Sequence, residues 1–136
     1  MDDRSFVAAL ESCTLPSEAF DHRAHVRLAW LYLSEEPLLE ALPRFIASLK
    51  RYAGSLGASG KYHETITYAF IFLIHERMAE RPEAAATFDE FAAANPDLFG
   101  SILLRYYEPE TLASPLARTV FVLPTKSFVD VTKPFV

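Results

Sequence analysis

Residues 61–80, Lys61-Tyr-His63-Glu64-Thr-Ile-Thr-Tyr-Ala-Phe-Ile-Phe-Leu-Ile-His75-Glu-Arg-Met-Ala-Glu80, decide the fold. No Pro or Gly interrupts the run, and Pro82 stops it. Ile66, Ala69, Phe70 and Leu73 recur at helical spacing along one side, while Tyr68, Ile71 and Phe72 cover much of the rest. A helix apolar nearly all round needs neighbours on several sides, so this one is read as the centre of a helical bundle.

The flanking segments agree. Helical spacing predicts short or medium helices over residues 4–12, 18–34 and 37–53, the second with Val26, Ala29 and Leu33 on one face. Pro43, inside the third, predicts a kink or a delayed start. Residues 54–60 hold three of the four glycines and read as a connector, with Ser59 as the expected cap of the central helix. Two shorter helices are expected over 87–94 and 97–107, broken at Asn95-Pro96, with a last turn near Pro115. The fold class is therefore all-α, a compact bundle of about five to six helices over residues 1–119. Residues 120–136, rich in Val, Phe and Pro, read as an extended tail packing on the bundle or on a partner subunit. In the second case the assembly is a homodimer.

Composition narrows the function classes. With 51% hydrophobic residues in 136, the chain has the makings of one globular domain. A net charge of −5 argues against a nucleic-acid partner, and no apolar run approaches the ~20 residues of a membrane span. The single cysteine, Cys13, allows no intramolecular disulfide and fits a reducing compartment. The acidic start does not read as a signal peptide, so a cytoplasmic location is expected.

The histidines carry the chemical signal. His22 and His25 form H-x-x-H at the start of the second helix, and three residues of helix put them about 60° apart on one face. His63 opens the fourth. Short connections make helices two and four parallel, which brings all three to one end of the bundle. Three neutral imidazoles converging there suit one divalent transition metal (Zn, Ni, Fe or Cu). Helix N-termini would lower the imidazole pKa and keep the rings neutral for ligation. Glu64 is the expected general base or a further ligand, while Arg23, Arg27 and Lys61 are expected to hold a small anionic substrate. His75, about 18 Å along the helix from His63, is left out. Two other readings stay open: a metal-free polar or catalytic cluster, and coincidence.

The segments Phe20-Asp-His22-Arg-Ala-His25-Val-Arg-Leu-Ala-Trp30 and Gly60-Lys-Tyr62-His63-Glu64-Thr65-Ile-Thr67 resemble a family of small bacterial helical proteins. The resemblance implies that the two histidine segments belong together and carries no activity. More loosely, the chain is similar to DinB-like metal-binding bundles, which implies three histidines on one metal. Two functions are therefore expected as rivals. One is a small metal-binding protein, which as an enzyme would act on a small anionic substrate. The other is a non-enzymatic helical module that binds a ligand or a protein through a buried histidine cluster.

Overall fold

The computed structural model describes residues 1–126, 132, 134 and 135. Within them the chain forms seven α-helices and no strand: α1 (Asp3–Glu11), α2 (His22–Glu35), α3 (Leu38–Ser55), α4 (Glu64–Glu80), α5 (Phe88–Ala94), α6 (Pro109–Ala113) and α7 (Pro115–Thr119). No helix among the described residues is long and apolar enough to cross a membrane.

Local chemistry sets the boundaries. Asp2, Asp21 and Thr87 cap α1, α2 and α5, each accepting a backbone N–H from the first turn. The Asp21 cap delays α2 to His22, several residues later than the periodicity suggests. Helix α3 starts at Leu38 and continues through Pro43 without the expected delay. The Leu39 carbonyl, which Pro43 cannot serve, belongs to a residue that is 82% exposed, so water can satisfy it. Residues 97–107 do not form the expected α-helix. They make two 3-10 turns, Pro96–Phe99 and Ile102–Arg105, separated at Gly100.

Helices α1 and α3 end alike. After α3, Gly57 sits at φ +68°, Gly57 N–H donates to the Gly54 carbonyl and Ala58 N–H to the Ala53 carbonyl. After α1, Cys13 takes the same place at φ +62°, with Cys13 N–H on Leu10 and Thr14 N–H on Ala9. Both are Schellman closures, and only one has the glycine that the left-handed residue favours.

Helix α4 is central, as its all-round apolarity requires. Ile66, Phe70 and Ile74 face Val26 of α2 and Phe45 and Leu49 of α3. Its opposite side meets the C-terminal segment. Thr65 Oγ1 donates to the Val120 carbonyl (2.8 Å) and accepts from Val122 N–H (3.0 Å). Phe121 stacks on Tyr68 and meets Phe72 edge-on. Tyr107, almost wholly buried, donates to the Val122 carbonyl (2.7 Å). Residues 120–126 thus lie as an extended strap across their own bundle. Phe128 falls outside the described residues.

Tyr32 shows how the core handles a phenol. It is fully buried, shares a hydrogen bond with Ser48 (2.8 Å), donates to Glu11 (3.1 Å) and lies under the Arg44 guanidinium. Arg44 in turn pairs with Glu11, Glu35 and Glu36, tying α1, α2 and α3 together.

Candidate functional site

A cavity of about 360 Å³ opens where the first turn of α2, the last turns of α3 and the start of α4 meet. Phe20, Leu49, Ala53, Leu56 and Ile66 give it apolar walls, and His25, Tyr52, Lys61, Tyr62, His63 and Thr67 supply its polar groups. A neighbouring cavity of about 290 Å³ shares Phe20, His25, Leu49, Ile66 and Thr67 and adds His22. His25 borders both cavities, His63 the first and His22 the second.

Their ring nitrogens are used differently. His63 lies just before α4 and is itself the cap: Ile66 N–H donates to His63 Nδ1 (3.1 Å). His63 Nε2 contacts the Leu112 carbonyl of α6 (2.7 Å), and a carbonyl can only accept, so Nε2 carries the proton. Both nitrogens are committed, and the ring is buried. His22 is exposed; its Nε2–H donates to the Leu98 carbonyl (2.9 Å) and its ring packs on Phe70 and Phe99. Phe70 stands seven residues along the chain from His63, about 10 Å of helix rise, so α2 lays His22 well past the start of α4.

His25 is the third case. Its Nδ1–H donates to the Asp21 carbonyl (2.8 Å), which leaves Nε2 with a lone pair and no partner among the described residues. Phe20 stacks on the ring, centroids 3.9 Å apart at 25°, and fixes its plane. The His25 pKa lies below its ordinary 6.5, chiefly because burial disfavours the cation and with a smaller push from His22, while the Asp21 carbonyl and carboxylate oppose the shift. The shift expected from helix N-termini is thus produced chiefly by burial.

The remaining expected residues divide. Lys61 is exposed at the rim of the 360 Å³ cavity, and its ammonium has no hydrogen bond or ion pair among the described residues. Glu64 does not face the histidines. It accepts the Tyr62 hydroxyl (2.6 Å), and burial together with this carboxylate pushes the Tyr62 pKa far above 10. The helical offset of about 100° from the preceding residue had argued against Glu64 pointing at the His63 site. Arg23 and Arg27 belong to a different cleft of about 460 Å³ beside α1 and α5. Arg23 pairs with Asp89 and lies over Phe88, while Arg27 binds Asp3 and the Met1 carbonyl over Phe6. That corrects their expected place at the histidines. Their helical positions point away from His25, toward partners on other elements that the sequence alone does not locate. His75 is exposed, as its distance along α4 required.

Among the described residues, no group of three or more His, Cys, Asp or Glu side chains is placed to hold a metal ion. For His63 to become a ligand, α4 would lose its cap or Leu112 its donor. Phe20, Tyr52 and Thr67 were not anticipated as part of the site. Phe20 stands immediately before the Asp21 cap, which is the one signal that could have marked it.

Comparison with protein-family models, with curated proteins and with solved structures finds no match.

Proposed function

We propose that the protein is a non-enzymatic small-molecule-binding module whose ligand occupies the 360 Å³ cavity beside His25. The observation that carries this is His25 itself: a ring nitrogen with no partner among the described residues, on a ring held by a backbone bond and a stacked Phe20, at the wall of a cavity. An apolar pocket with few convergent polar groups is the usual form of a small-molecule site, and about 360 Å³ lies at the small end of that class. His25 is neutral near pH 7, so it offers a lone pair and takes a hydrogen bond from the ligand.

Titration with phenol, a neutral ring with one O–H donor, tests this by amide and methyl NMR. Shifts gathered at Ala53, Lys61, Tyr62 and Ile66, weakened in His25→Phe, are expected. Shifts gathered at Phe88 and Asp89 instead would reject the reading.

Binding of a divalent metal is the second reading. It is favoured by His22 and His25 sharing the 290 Å³ cavity, each with one ring nitrogen outside its backbone bond. Elemental analysis after expression in zinc-supplemented medium separates the two: about one metal per chain, lost in His25→Ala, supports the metal.

A further inference from the structure

We infer that the ligand of the His25 cavity is a small apolar carboxylic acid carrying one O–H or N–H donor, its donor on His25 Nε2 and its carboxylate on Lys61. The inference rests on the binding reading above and adds the ligand's chemistry.

It follows from accounting for every polar side chain on the cavity wall. The Tyr52 hydroxyl donates to the Leu15 carbonyl (2.7 Å), the Tyr62 hydroxyl to Glu64 (2.6 Å) and the Thr67 hydroxyl to the His63 carbonyl (2.7 Å). Ser17 Oγ donates to Glu18 (3.1 Å), and both His63 nitrogens are used. Two groups are left over among the described residues: the His25 Nε2 lone pair and the Lys61 ammonium. One accepts a proton; the other is a cation.

A ligand matching them has one donor and one anionic group, with an apolar body to fill the space between Phe20, Leu49 and Ile66. A cationic ligand would meet Lys61 and the positive N-terminal ends of α2 and α4. A ligand with no donor would cover the His25 lone pair and leave it unpaired, which costs affinity. The volume is ample for a single ring or a short chain.

The test is an NMR and calorimetric titration of the full chain with para-hydroxybenzoate and para-hydroxyphenylacetate, their amides, and phenylacetate, which lacks the hydroxyl. The better of the two acids should bind about tenfold tighter than its amide, a difference of ~1.4 kcal/mol. That preference should fall below about twofold in Lys61→Gln and return in Lys61→Arg. Para-hydroxyphenylacetate should outbind phenylacetate several-fold, and His25→Phe should erase that gap. Amides that bind as tightly as acids, with shifts still at the cavity, would overturn the acid and leave the binding reading standing. Cavity resonances unmoved by acids, amides and phenol alike would overturn both.

Discussion

The two histidine walls of one cavity are built from the same residue type at two helix starts and do opposite things. On the α2 wall, Asp21 caps the helix and His25 keeps a nitrogen for something else. On the α4 wall no Asp, Ser or Thr stands in the cap position, so His63 does that work and is consumed by it. The α4 wall is also fastened from behind. Leu112 takes His63, Arg118 donates to the Gly60 and Tyr62 carbonyls, and Thr65 is bonded to Val120 and Val122. A histidine's availability for chemistry is thus set by what else can cap its helix. One wall is scaffold, and on the other the His25 Nε2 has no partner among the described residues.

Removing the fastening should have the largest effect. Deletion of residues 120–136 strips Phe121 from Tyr68 and Phe72 and orphans Thr65 and the Tyr107 hydroxyl. A loss of about 4 kcal/mol is expected in urea unfolding, from a half-buried aromatic and buried polar groups left unpaired. An unchanged midpoint would mean that the strap holds nothing.

His63→Ala comes next, at about 2–4 kcal/mol, the sum of a lost cap and an unpaired Leu112 carbonyl. His63→Asn, which restores the cap oxygen alone, should recover about 1 kcal/mol. His25→Ala should cost about 1 kcal/mol or less, since it gives up one bond to an exposed carbonyl and a stacking contact. Equal costs for His25→Ala and His63→Ala would erase the distinction between the walls.

How much of this could be read from the chain follows from the same residues. The all-helical fold came from periodicity and short connections. It is a property of many residues acting together. The roles of the individual rings did not come through. Histidine is not a usual cap, and Ser59, which is, opens a 3-10 turn instead. Nothing local in the sequence announces that Leu112, forty-nine residues away, will accept His63 Nε2–H. Residues 97–107 carried helical spacing, but Pro96 and Gly100 are strong enough locally to impose tighter turns.

The paired helix ends give a smaller test. Cys13 and Gly57 occupy equivalent left-handed positions, so Cys13→Gly should stabilise the protein by about 1 kcal/mol. Gly57→Ala should destabilise it by a similar amount; its side is sterically open, so the backbone angle alone would be responsible.

Acid gives the smallest effect. The folded His25 pKa lies below the unfolded 6.5, so the unfolded chain binds more protons between those two values. His25's contribution is fully present above pH 6.5 and is lost as pH falls through that window. The charged and titrating groups acting on the ring are Asp21 and His22. The melting temperature of the protein should therefore drop more steeply below pH 6.5 than that of His25→Phe. Identical slopes would place His25 in water.

The most direct test of the two-wall account is a long-range proton–nitrogen NMR correlation of the imidazole rings at pH 7.5. The account predicts His25 with its proton on Nδ1 and an open Nε2, and His63 with its proton on Nε2 and Nδ1 accepting. His25 found protonated on Nε2, or His63 found protonated on Nδ1, would contradict it.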